Sequence, residues 1–296
     1  MNVFMTGASG WIGSAVVPEL LAAGHTVRGL ARSERSAAAL RAAGVEPVTG
    51  DLDQLDLLGT AAEAADAVIH LANKHDWSDL AATNRAERAA VQTFCAALEG
   101  SGKPFLLASG TAMPLGHTLT EEDVNPASGP DAPRGGTEAL AMEYAARGVR
   151  SVALRFAPSV HGAGGDHGFL ALLVAAAREH GAAGYVGDGS NRWTAVNRLD
   201  AGRLVALALE KSGAGTAVHA VAEVLTTRRI AEAIGAALHV PTIPVAPEAV
   251  TGHFGWLGPI FAMDLPASAD LTRERLGWVP THPTLAEDLA AGAYTS

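Results

Sequence analysis

Three observations predict an α/β fold built on a doubly wound parallel sheet. Short apolar runs alternate with helical patterns along most of the chain. The first apolar run, residues 3–5, leads into Thr6-Gly7-Ala8-Ser9-Gly10-Trp11-Ile12-Gly13 and then an amphipathic stretch. Strand, glycine turn and helix in that order are the context in which a glycine-rich motif binds a dinucleotide. The predicted strand ends carry small or polar residues, Asp51, Leu52, Leu71, Ala72 and Asn73. Ligands of such sheets sit outside the carboxyl ends of the strands.

Each part of the glycine motif has a physical use. Gly7 allows the tight turn. Gly10 lets a pyrophosphate approach the backbone, with Ser9, Trp11 and Ile12 around it. Gly13 lets the helix pack on the strand. The N–H groups and positive dipole end of that helix face the phosphates.

Strands are expected at residues 26–30, 45–49, 67–71, 105–108, 151–156 and 217–221. Helices are expected at 55–64, 80–98, 137–147, 169–180, 201–210 and 227–238. The segment 114–133 reads as a loop over the site, and 158–168 is too glycine-rich for an element interior. The proline-rich tail reads as irregular.

Where NAD-preferring folds carry an acidic residue at the end of the second strand, this chain has Ala31-Arg32-Ser33. Arg32 and Ser33 are suited to a 2′-phosphate, so the expected cofactor is NADP(H). The chain has 296 residues, a net charge of −10 and one cysteine, Cys95. No basic stripe points to nucleic acid, and no apolar run approaches the ~20 residues of a membrane span. A single cysteine, and a first strand at the very N-terminus, fit a cytoplasmic protein. No ligand-spaced cluster points to a metal.

The sequence resembles the extended short-chain dehydrogenase/reductases, the NAD(P)-dependent epimerase/dehydratase-like family, over nearly its whole length. The resemblance rests on the glycine motif, Asp51-Leu52, His70-Leu71-Ala72, Asn84, Ser109-Gly110-Thr111, Arg155, Gly187-Asp188-Gly189, Asp200 and Leu276-Gly277-Trp278-Val279-Pro280. It implies a dinucleotide-binding Rossmann domain over residues 1–160 and 198–222, a smaller C-terminal substrate-binding lobe over 161–197 and 223–296, and a monomer or homodimer acting on a small molecule, with Thr111 at the catalytic hydroxyl position.

The departure lies at the catalytic centre. The family's Tyr-x-x-x-Lys aligns with Arg134-Gly135-Gly136-Thr137-Glu138. Arg134 and Glu138, spaced i,i+4, are expected to pair with each other, to face the nicotinamide pocket, or both. His161, His167 and Tyr185 are candidate proton donors. His75 and Trp77 are expected to edge the substrate pocket. Trp193, where sugar-nucleotide enzymes of the family use an arginine, points with Phe169, Phe254, Trp256 and Phe261 to an apolar or aromatic substrate.

The expected function is NADPH-dependent reduction of a small C=O or C=N compound. A lysine exchanged for Glu138 favours a cationic imine, with activated ketones as the competing class. A non-catalytic NADP-binding redox sensor and a sugar epimerase-like enzyme are the alternatives.

Overall fold

The structure is a computed structural model and describes residues 1–74 and 79–295. In chain order the elements are β1 (Asn2–Thr6), α1 (Gly13–Ala22), β2 (Thr26–Ala31), α2 (Glu34–Ala42), β3 (Glu46–Thr49), α3 (Leu55–Glu63), β4 (Ala67–His70), α4 (Leu80–Leu98), β5 (Pro104–Gly110) and α5 (Thr137–Glu143). They continue with β6 (Arg150–Phe156), β7 (Ser159–His161), α6 (Phe169–His180), β8 (Ala183–Val186), β9 (Arg192–Asn197), α7 (Arg198–Lys211) and β10 (Thr216–Ala220). The last part holds β11 (Glu223–Thr226), α8 (Thr227–Leu238), β12 (Thr242–Val245), α9 (Val250–Phe254), α10 (Gly258–Phe261), α11 (Asp270–Leu276) and α12 (Leu285–Ala290).

Seven parallel strands form the main sheet in the order β10-β6-β5-β4-β1-β2-β3. The order reverses direction between β1 and β4, which opens a crevice at their carboxyl ends. β4 is buried throughout and β5 nearly so. Helices cover both faces, so these strands read as continuous apolar runs rather than alternating ones. One core cluster contains Val3, Met5, Val16, Leu20 and Leu204; the cluster on the other face contains Phe4, Phe94, Leu98 and Phe105.

A third cluster, with Leu170, Trp193, Ile230, Phe254 and Phe261, forms the core of the smaller lobe. There β7, β9 and β11 make a three-stranded sheet, and β8 pairs with β12. Helix α7 begins directly after β9 and packs closely on α1, where a Cβ at Gly202 would come within 2.5 Å of the Ala15 carbonyl oxygen. Among the described residues no helix is long and apolar enough to cross a membrane.

Residues 34–42, to which the sequence assigns no element, form helix α2, started by a capping box in which Ser33 and Ser36 satisfy each other's backbone N–H groups. The expectation of an irregular tail is corrected. The tail is ordered into β12 and four short helices. Apart from Pro244, inside the two-stranded pairing of β12 with β8, its prolines sit between these pieces or in their first turn, and tertiary contacts rather than local propensity hold the pieces.

Candidate active site

The β1–α1 turn is closed by contact. Gly7 has φ of 73°, and a Cβ there would lie 2.8 Å from the Ala72 backbone nitrogen. A Cβ at Gly13 would lie 2.0 Å from the Gly7 carbonyl oxygen. Ser9 and Gly10 are exposed at the tip of the turn. No side chain caps α1, and its first turn carries no acidic residue. An exposed backbone cradle on an uncapped helix start fits the pyrophosphate of a dinucleotide. Leu71, Ala72 and Asn73 lie half-buried beside it after β4. Arg32 is exposed after β2. Asp51 is exposed after β3, and Leu52 is buried behind it.

Arg134 and Glu138 do not pair. Arg134, Gly135 and Gly136 all adopt left-handed backbone angles, with φ of 54°, 63° and 59°. Helix α5 therefore starts only at Thr137, and Arg134 is not on its face. The left-handed turn is seated on α4: Arg88 donates to the Gly135 carbonyl at 2.6 Å, and a Cβ at Gly135 would meet the Asn84 carbonyl oxygen at 2.7 Å. From this turn Arg134 reaches Glu87 on α4, donating from Nε at 3.0 Å and Nη2 at 2.5 Å to Oε1. Asn73 donates to the other oxygen of Glu87. The Glu87 side chain is 1% exposed and that of Arg134 38% exposed. Arg134 Nη1 makes no hydrogen bond among the described residues.

Glu138 is turned into the protein. Its Oε1 accepts from Arg155 Nε at 3.0 Å and Nη2 at 2.6 Å; its Oε2 accepts from Ser109 Oγ and, at 3.1 Å, from Asn125. Burial pushes its pKa up. The hydrogen bonds and charge of Arg155, with Ser109 and Asn125, outweigh that and hold it below the ordinary Glu value. All its lone-pair directions are used, so the catalytic expectation for Glu138 is corrected to an anchoring one. Arg155 also donates to the carbonyls of Thr120 and Asp123 and contacts His219 Nε2 at 3.3 Å.

The other candidates separate. Thr111 is buried at the end of β5, its hydroxyl 3.1 Å from that of Thr194 on β9 and 3.4 Å from the Phe156 carbonyl. His161 is corrected: β7 turns it inward, with no exposure, where Nδ1 lies 2.6 Å from Asp288 of α12. His167 is exposed on the glycine loop. Tyr185 pairs in β8 with β12 and lies under the Arg228 guanidinium, 5.4 Å from its ring centre. Trp193 is fully buried, with Nε1 donating to Ser159 at 2.9 Å and its ring against Phe169 and Phe261. It is thus a core residue that supports Phe169. His75 and Trp77 lie outside the described residues.

Sequence reasoning did not find Glu87, Thr194 or the environment of His70. His70 ends β4 with Nδ1 2.7 Å from Thr6 Oγ1 and its ring against Phe94. Burial, then the charge of Arg134, pushes its pKa down to about 3. Only the four-residue spacing of Asn84 and Arg88 and the apolar face of α4 hinted that this helix fronts the site.

The comparisons with known proteins agree with the fold. A model of the NAD dependent epimerase/dehydratase family matches residues 3–221. The chain belongs to that family. An uncharacterized protein of Schizosaccharomyces pombe is 43% identical over 295 residues, 99% of this chain and 100% of the relative. The 4-hydroxy-2-methyl-3-oxo-4-farnesyl-3,4-dihydroquinoline-1-oxide ketoreductase of Stigmatella aurantiaca is 29% identical over 60% of this chain and 55% of its own. The UDP-glucuronic acid 4-epimerase of Bacillus cereus, solved with NAD, shares the fold with a TM-score of 0.76 at 18% identity, covering 99% of this chain and 98% of its own. Against the family pattern, the charges at positions 134 and 138 each have a buried or half-buried partner from another element.

Two predictions follow from these environments. Reinstating the family's lysine, Glu138→Lys, sets a cation against the buried Arg155. It is expected to cost about 3–5 kcal/mol in urea denaturation, whereas a wild-type midpoint would show that the position is not confined. The neutral native ring of His70 binds no proton between pH 6.5 and about 3, while the unfolded ring binds one. The stability it contributes is therefore complete above pH 6.5 and lost as the pH falls through that window. Between pH 7 and 5 the stability difference between the wild type and His70→Gln should narrow by about 2 kcal/mol. Parallel pH profiles would contradict this.

Proposed function

We propose that the protein is an NADPH-dependent reductase of a small, apolar carbonyl compound, in which Arg134 meets the substrate oxygen. The observation that carries this reading is the guanidinium at the family's tyrosine position. Two of its nitrogens are fixed by Glu87, while Nη1 is uncommitted among the described residues. A donor held in place by one face and open on another is suited to a developing oxyanion.

The dinucleotide, when bound, supplies the hydride. The chain then has to take up charge on the substrate oxygen as the C=O electron pair moves there. Arg134 does so by electrostatics and hydrogen bonding. Guanidinium groups are not proton donors near neutral pH, so water supplies the proton that completes the alcohol. The cationic-imine reading required an uncompensated carboxylate in the pocket. Glu138 spends its charge on Arg155, so the carbonyl class is preferred. The ketoreductase name of the Stigmatella relative points the same way. An apolar substrate is supported by the ring contacts of Phe169 with Trp193 and Trp256.

The preference for NADPH rests on Arg32. It stands exposed where an acidic residue would select the ribose hydroxyl, whereas the Ser33 hydroxyl is occupied in capping α2.

The test is NADPH and NADH oxidation with matched panels of apolar ketones and cyclic imines. Ketone turnover and tighter binding of NADPH are expected. Arg32→Ala should remove about 1.5–3 kcal/mol of that cofactor preference. Arg134→Lys keeps a cation for Glu87 but loses the second donor, and should lower kcat about 100-fold. Turnover confined to imines would reject the carbonyl assignment. Cofactor binding without turnover of either class would favour a redox-sensing protein.

A further inference from the structure

Arg198, the first residue of α7, lies beside the glycine turn of the cofactor cradle. Its guanidinium stacks on Trp11, 4.5 Å from a ring centre, and Nη1 donates to Ser14 Oγ at 3.2 Å. Trp11 is itself fixed from the smaller lobe, its Nε1 donating to the Val160 carbonyl at 2.7 Å. The arginine stem runs along the glycine loop after β7: a Cβ at Gly162 would lie 3.2 Å from Arg198 Cγ. At Gly162 and Gly164 φ is 152° and 109°. The loop is thus shaped to let this side chain pass toward the turn.

Arg198 pairs with no carboxylate among the described residues; its guanidinium is held by Trp11 and Ser14. Helix α1 starts beside it with no side-chain cap and no acidic residue in its first turn. Arg198 itself stands at the start of α7, whose acidic Asp200 is turned away to the Thr281 and His282 backbone and the His282 ring. Asp200, in the first turn of α7, offsets that helix's dipole, so the positive potential at the turn comes from the start of α1 and the guanidinium, which together favour an anion there.

We infer that Arg198 is a cofactor-binding residue that holds the pyrophosphate of the dinucleotide from the start of α7, using Trp11 as its platform. This rests on the dinucleotide-binding reading above. A guanidinium offers several donors in a fixed plane, which suits two adjacent phosphates. Ser14 and Trp11 pre-order that plane, so little side-chain entropy remains to be lost on binding.

The experiment is calorimetric titration of the wild type, Arg198→Met and Arg198→Lys with NADPH, NADH and adenosine 2′-monophosphate, which lacks the pyrophosphate. Thermal unfolding of each free variant is measured alongside. Arg198→Met retains an apolar stem over Trp11. It should bind both dinucleotides about 10-fold or more weaker, leave adenosine 2′-monophosphate binding within 2-fold, and unfold near the wild-type temperature. Arg198→Lys should recover part of the lost affinity. Dinucleotide binding by Arg198→Met within 2-fold of wild type would overturn the assignment, as would equal weakening of all three ligands. A wild type that binds neither dinucleotide would overturn the dinucleotide reading itself, and this one with it.

Discussion

The buried ion pair between Arg155 and Glu138 is the constraint on which the site depends. It joins β6 to α5. Ser109 brings in the end of β5, and Asn125, with the carbonyls of Thr120 and Asp123, brings in the segment over the sheet. Taking both charges out of water is costly and is repaid only by complete hydrogen bonding. Every oxygen direction of Glu138 is in use, so the carboxylate is committed. A lysine there would face Arg155. Replacing Glu138 by lysine therefore dismantles the network beneath it.

The second pair, Arg134 with Glu87, is built differently. Glu87 is enclosed by α4 and Asn73, but Arg134 projects from three consecutive left-handed residues and keeps part of its guanidinium open. A left-handed arginine costs on the order of 1–3 kcal/mol. The seat on α4, through Arg88 and the glycines, offsets that cost. One pair thus holds the floor of the site while the other presents a cation at its edge. The closed glycine turn, with His70 and Thr6 behind it, stands at the crevice between β1 and β4.

The sheet and the glycine turn were legible because their signals are local: apolar runs of strand length, and glycines at a strand–helix junction. The partners of the charged residues were not. Spacing i,i+4 pairs Arg134 with Glu138 only if both lie on one helix, and the left-handed turn at Arg134–Gly136 breaks that condition. The actual partners, Glu87 and Arg155, stand 47 and 17 residues away along the chain and are joined only by the fold. His161 sits next to a glycine loop and looked solvent-accessible. A short strand turns it toward Asp288, 127 residues on. Ser33 looked like a phosphate ligand because capping by Ser36 requires the helix to be placed first.

The most direct test of this account is the coupling energy between Glu138 and Arg155, from a double-mutant cycle on equilibrium unfolding with Glu138→Leu, Arg155→Met and the combined variant. If the pair is the anchor described here, each single change strands a buried charge and costs about 3–5 kcal/mol. The double variant should then lose about 2–3 kcal/mol less than the sum of the two single losses. Additive losses would contradict the account and return Glu138 to the list of groups free to act in the pocket.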